Sequence, residues 1–253
     1  MDAIRVRKLN KSYTSETTEV IVNGQRPPAV TRQVLFDLDI DFPLGKITVI
    51  LGRSGCGKST LLRILEGRER ADSGEIELPE LWRCALLSPD PYVITWTSVL
   101  RNVAMASGAG RTPEERMELA ERLVKLVKLD AFSDLTPLAL STGMRQRLGL
   151  ARTLASQSQV LLLDEPFASL DFITREELQQ ELLEIQKELQ KTIVLVTHQL
   201  DEALLLGEKI VVLHADSSIR EFDLSGLPYP RDLSQPEFAL LRREITEECK
   251  KGL

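Results

Sequence analysis

The sequence predicts an α/β fold, a largely parallel sheet covered by helices on both faces, and three observations carry that expectation. Short runs of apolar, β-branched residues at 46–51, 159–163, 192–197 and 209–213 lack polar alternation, as strands buried on both faces do. Amphipathic helical patterns alternate with them. The first run passes directly into a glycine-rich stretch, Gly52-Arg53-Ser54-Gly55-Cys56-Gly57-Lys58-Ser59-Thr60, and from there into the helical pattern Leu61-Leu62-Arg63-Ile64-Leu65.

Residues 4–9 and 34–42 alternate apolar and polar, with Val34, Phe36, Leu38, Ile40 and Phe42 on one face, and predict strands with one solvated side. Between them, Asn23-Gly24 predicts a tight hairpin and Pro27-Pro28 a break. Residues 74–78 and 83–87 predict two further short strands. From about 89 the chain turns to a proline-containing loop and then to helix. Thr112-Pro113-Glu114-Glu115 reads as a capping box with proline at the first helical position, and Met117, Ala120, Leu123, Val124 and Val127 follow on one face. Another helix opens at Ser141 and runs through Gln146, Leu150 and Leu154. Thr174-x-x-Glu177 predicts the cap of a helix with Leu178, Leu182, Ile185 and Leu189 inward. The segment 89–157 reads as a helical insertion into the sheet.

Composition narrows the class. The chain has 253 residues, 28% charged and 5% aromatic, which suits a globular protein with a sizeable core. Its net charge of −6 argues against a nucleic-acid partner. No apolar run approaches the length of a membrane span, and the charged start Met1-Asp-Ala-Ile-Arg-Val-Arg-Lys lacks the pattern of a secretory signal. Cys56, Cys84 and Cys249 are too scattered for a metal site or a disulfide framework, and Cys56 is expected to pack.

Gly52, Gly57, Lys58 and Ser59 occupy the defining positions of the phosphate-binding pattern G-x-x-x-x-G-K-[ST], in the strand–loop–helix context that the pattern requires. The glycines let backbone N–H groups turn toward phosphate oxygens, and the helix N-terminus adds its positive end. Lys58 would reach the β- and γ-phosphates, and the Ser59 hydroxyl would be a ligand of Mg²⁺. Asp164 and Glu165 close the apolar run at 159–163, where ligand sites of open parallel sheets gather. Asp164 would hold Mg²⁺ directly or through its waters, and Glu165 would polarise an attacking water.

Leu140-Ser141-Thr142-Gly143-Met144-Arg145-Gln146-Arg147 resembles the signature sequence of ABC transporter ATPases. The supporting motifs stand in that family's order: 52–60, 140–147, the strand ending in Glu165, Ser169-Leu170-Asp171, then His198. The resemblance spans nearly the whole chain. It implies a P-loop NTPase (RecA-like) core with an N-terminal antiparallel β subdomain and an inserted α-helical subdomain, all in a single ABC ATPase domain over 1–253. Residues 1–88 and 158–225 would form the core and β subdomain, 89–157 the helical subdomain and 226–253 a C-terminal extension. It further implies ATP and Mg²⁺, with Gly52 through Thr60 and Tyr13 binding ATP, Tyr13 by stacking on adenine. Lys58, Glu165 and His198 would be catalytic, His198 sensing the γ-phosphate. Ser141, Thr142, Gly143 and Asp171 would contact the ATP of a second subunit in a head-to-tail homodimer or in a pair with another ABC subunit. An N-cap at Ser141 suits that task, because its hydroxyl and the helix N-terminus can both face a phosphate.

Two positions depart from the family. Where it has a glutamine touching Mg²⁺ and the attacking water, this chain reads Leu87-Ser88-Pro89-Asp90-Pro91, and Thr142 replaces the signature's first glycine. Trp96-Thr-Ser-Val-Leu-Arg-Asn-Val103 and the tail from Leu227 to Phe238 resemble importers for nitrate, sulfonates and taurine. The resemblance thus implies an ATP-hydrolysing subunit, peripheral on the cytoplasmic face of the cell membrane. Its partners would be integral membrane permease subunits, with a solute-binding protein engaged indirectly. The rival expectations are a degenerate subunit that binds ATP with little hydrolysis, and a soluble ABC ATPase without a transport role.

Overall fold

The computed structural model describes residues 2–15, 30–108, 110–168 and 170–251. The expected Asn23-Gly24 hairpin and Pro27-Pro28 break lie outside them. Two sheets form. The smaller is antiparallel, with β1 (Ala3–Ser15) between β2 (Val30–Pro43) and β4 (Ser73–Glu77). The larger contains β3 (Ile47–Gly52), β5 (Cys84–Leu87), β6 (Val160–Asp164), β7 (Thr192–Thr197), β8 (Lys209–Leu213) and β9 (Ile219–Asp223), in the order β5-β6-β7-β3-β8-β9. All its pairings are parallel except β8 with β9. The predicted α/β class is what the chain adopts.

The parallel strands read as continuous apolar runs because each feeds two cores. In β3, Val49 and Leu51 face one cluster and Ile50 the other, and in β6 Leu161 and Leu163 oppose Val160 and Leu162. One core lies between the large sheet, the small sheet and α1 (Lys58–Glu66), with Phe42, Leu61 and Leu62 at its centre. The other joins the sheet to α4 (Thr142–Ala155), α6 (Leu200–Leu206) and α7 (Pro236–Lys250) through Leu148, Leu154, Leu204, Phe238 and Ile245. Leu-to-Ala changes at such positions typically cost about 2–5 kcal/mol.

Between β5 and β6 the chain forms α2 (Val99–Ala106), α3 (Pro113–Leu126) and α4, which pack on one another. The capping box at Thr112 and Glu115 is present in both directions, and the Ser141 hydroxyl caps α4 by accepting from the Met144 N–H. Three expectations need correction. The alternation over 34–42 is broken. Leu35 is buried while Phe36 is 39% exposed, because an extra residue in β2 shifts the register between Leu9↔Leu38 and Lys11↔Leu35. Asp37, at φ +40, occupies that bulge and exchanges hydrogen bonds with Asn10. The helix expected to start at Thr174 is α5 (Phe172–Leu189), and its cap is Asp171, which accepts from the Thr174 N–H at 3.0 Å. Leu189 is 51% exposed instead of inward, because α5 leaves the core in its last turn.

Candidate functional site

The glycine-rich loop joins the end of β3 to the start of α1. Gly57 caps that helix at φ 101, and a Cβ there would sit 2.6 Å from a Leu35 methyl group, so the turn admits only glycine. Lys58, 7% exposed, folds its amine onto the loop, donating to the carbonyls of Gly52 at 2.8 Å and Arg53 at 2.9 Å. Cys56 packs as expected, 3% exposed, its sulfur 3.8 Å from the same amine. The loop opens on a cleft of about 320 Å³ whose walls include Tyr13, Ser54, Gly55, Gly57, Lys58, Ser59, Thr60 and Glu165. Arg32 and Arg63 also line it. Sequence reasoning missed both, Arg63 for want of any signal beyond its place in the second turn of the helix. Tyr13 reaches the cleft from the small sheet and shares a hydrogen bond of 3.1 Å with the Thr60 hydroxyl, while Lys11 stands 5.3 Å from its ring centre.

Neighbouring strand ends bring the acidic residues alongside. Asp164 ends β6, 5% exposed, near the Ser59 hydroxyl. Burial pushes its carboxyl above the usual range and the charge of Glu165 adds to that, while Ser59, Arg63 and Lys58 pull the other way. Glu165 follows at φ +49, its N–H donating to the Val196 carbonyl at 2.9 Å. Its Oε1 lies 3.2 Å from Nδ1 of His198, the residue after β7. The left-handed backbone turns this carboxylate out of the strand and toward the histidine.

Ser141, Thr142, Gly143 and Asp171 do not line this cleft. Ser141, Thr142 and Asp171 are exposed, and the guanidinium of Arg145 donates to the Thr142 hydroxyl at 3.2 Å and to the Leu140 carbonyl at 2.6 Å. Hydrogen bonds from Thr174 hold the Asp171 carboxyl below the usual carboxylate range, with the charge of Arg147 assisting. Pro89 is also exposed and outside the cleft lining. Its loop lies against α4, where Gly149 permits the contact; a Cβ there would meet Pro91 at 2.4 Å. Asn102, fully buried, clamps the next turn through hydrogen bonds to Ile94, Thr97 and Ser98. That clamp leaves Tyr92 and Trp96 74% and 83% exposed.

This arrangement, a phosphate loop flanked by the ends of two neighbouring parallel strands, is that of an ATP-hydrolysing cassette. Residues 35–168 match the family model described as ABC transporter, and the chain belongs to that family as an ABC-type ATPase. It is 38% identical over 237 residues to an uncharacterized ABC transporter ATP-binding protein of Methanocaldococcus jannaschii, covering 90% of this chain and 86% of that one. It is 41% identical over 216 residues to the aliphatic sulfonates import ATP-binding protein SsuB 1 of Pseudomonas fluorescens, covering 85% of this chain and 80% of that one. Among solved structures it resembles a dimeric post-hydrolysis state of the ATP-binding cassette MJ0796 bound to ADP and Pi. The TM-score is 0.77 at 26% identity, covering 87% of this chain and 98% of that one. Among the described residues no helix is long and apolar enough to cross a membrane.

Proposed function

We propose that this chain is the ATP-hydrolysing subunit of an importer serving sulfonates, nitrate, taurine or related small molecules. It acts as a head-to-tail homodimer or in a pair with another ABC subunit. It sits peripherally on the cytoplasmic face of the membrane, bound to integral permease subunits and through them to a solute-binding protein. The observation that carries this reading is the grouping of Lys58, Ser59 and Glu165 along one cleft, with Asp164 ending β6 beside Glu165 and His198, just after β7, 3.2 Å from the Glu165 carboxylate. Relatives named as sulfonate import subunits support the solute class. The exposed Tyr92 and Trp96, on a turn braced by Asn102, suit a permease helix as partner. The net charge of −6 disfavours nucleic acid.

The loop from Gly52 through Thr60, with Arg53, Ser54, Gly55 and Cys56 lending backbone N–H groups, cradles the phosphates, and Tyr13 stacks on the adenine. Lys58 exchanges its loop carbonyls for phosphate oxygens. Ser59 and Asp164 fit Mg²⁺, which is held by few protein oxygens and takes the rest of its shell from water and phosphate. When bound, that ion would supply charge neutralisation at the phosphates. Glu165 takes the proton of the attacking water, and His198, which Glu165 orients through their shared hydrogen bond, lies beside the γ-phosphate. Ser141, Thr142, Gly143 and Asp171 meet the partner's ATP, so closure requires nucleotide in both sites.

The test is steady-state phosphate release by the purified protein beside Glu165→Gln, with dimerisation followed in the same samples. Turnover that falls by about 10²–10⁴ in the variant, with ATP then trapping a dimer, supports the reading. ATP-dependent dimers without turnover in either, alone or with the permease, favour a nucleotide-gated binding subunit; Pro89 and Thr142 motivate that alternative. Retention by permease subunits, and none by nucleic acid, separates the importer from a soluble ATPase.

A further inference from the structure

His198 is 59% exposed at its side chain and has little packing to hold it. Its position depends on the backbone on either side, and both sides are tied to one buried group. The Thr197 hydroxyl donates to Oε2 of Glu202 at 2.6 Å and accepts from the Gln199 N–H at 3.0 Å. Glu202 is 3% exposed, on α6. Facing it from the first turn of α5 is Arg175, whose Nε lies 3.9 Å from Glu202 Oε1. The same guanidinium donates Nη1 to the Gln199 side chain and Nη2 to the Leu170 carbonyl, each at 3.0 Å. Arg175 also donates its backbone N–H to the carbonyl of Asp171 at 2.9 Å. One side chain therefore spans the turn that carries Asp171 and the turn that carries His198.

The network is not fully closed. Arg175 Nε and Glu202 Oε1 are both shielded from solvent and neither has a hydrogen-bond partner among the described residues. A charge-assisted bond between such atoms is about 2.7–2.9 Å long, so about 1 Å of approach would complete it. Leaving both atoms unsatisfied is costly, so any movement that draws the two turns together is favoured.

We propose that Arg175 and Glu202 are positioning residues for hydrolysis. They lock the Leu170–Asp171 turn to the Thr197–Gln199 turn, so that the segment meeting the partner's nucleotide sets the placement of His198 over its own. This rests on the roles given above to His198 and Asp171. The rival is an ion pair that merely fastens α5 to α6. Replacing a buried pair by apolar residues of similar volume is often neutral for stability. The double variant Arg175→Met with Glu202→Leu therefore keeps the packing and removes the lock.

The experiment measures kcat and KM for ATP in wild type, Arg175→Ala, the double variant and Glu165→Gln, together with the imidazole NMR signals of the two histidines. The expected result in both lock variants is a fall in kcat of about 10- to 100-fold, with KM within about twofold, since a misplacement near 1 Å has that order of effect. The His198 signal shifts or broadens while that of His214 stays. Should Arg175→Ala fail to fold, the double variant decides. A double variant with wild-type kcat and an unmoved His198 signal overturns the proposal. Wild type without turnover overturns the functional reading itself, whereas turnover that Glu165→Gln abolishes and the lock variants retain overturns only the lock.

Discussion

Nδ1 of His198 and Oε1 of Glu165 lie 3.2 Å apart, bridging the residues that follow β7 and β6 across a pair of parallel strands that pair from Val160↔Thr192 to Asp164↔Val196. Because the strands run in register, the two side chains leave the sheet at one height. The contact needs no loop rearrangement. Removing the histidine should leave ATP bound and slow its hydrolysis. His198→Ala is expected to lower kcat about 10²–10³-fold with a small change in KM, read by steady-state phosphate release.

Asp164 carries a pH signature. Burial disfavours its ionised form, so its folded pKa lies above the unfolded one. The stability it contributes is full below the unfolded pKa and is lost as pH rises through the raised folded value. Asp164→Asn should therefore raise the melting temperature at neutral pH without nucleotide and flatten its dependence on pH across that window. With ATP and Mg²⁺ the order should reverse, since in the proposed function the carboxylate holds the ion. Thermal melts across pH, with and without both ligands, check this.

Gly149 is where α4 and the loop at Leu87–Pro91 touch. An added methyl would sit 2.4 Å from Pro91 Cβ and 2.8 Å from a methyl of the buried Leu87. Gly149→Ala should cost about 1–3 kcal/mol despite the higher helix propensity of alanine, as overpacking does. Urea denaturation of the variant beside wild type measures it.

Pro89→Gln tests whether the missing carboxamide limits turnover. Pro89 is exposed on a loop that Pro91 anchors to α4, so the substitution perturbs no buried contact. With Thr142→Gly it should raise kcat several-fold. An unchanged kcat in both would show that neither position is limiting.

Most of the cleft was legible. The phosphate loop announced itself through the spacing of Gly52, Gly57, Lys58 and Ser59, and Asp164 and Glu165 through their place after an apolar strand. Arg32 was not legible, because nothing in its neighbourhood marks it as reaching the loop; its Nη2 comes within 3.4 Å of a Cβ placed on Gly55. The bulge at Asp37 was hidden for a related reason. Strict alternation looks the same in sequence whether or not a strand slips by one residue, and only pairing with β1 through Asn10 decides which side faces in.

By itself the sequence determined the α/β class, the strand–loop–helix of the phosphate-binding pattern, the Thr112 and Ser141 caps and the order of the motifs. These depend on neighbours within a few residues, where propensity, capping and periodicity act. The tertiary structure decided which distant residues meet: Ser59 with Asp164, Glu165 with His198, Tyr13 with Thr60, Arg175 with Leu170, Gln199 and Glu202. It also decided that the small sheet would deliver Tyr13 and Arg32 to a cleft built by the large one. Contacts of that kind follow from strand order and register, which arise from packing two faces of one sheet at once and leave no trace in any short stretch of chain.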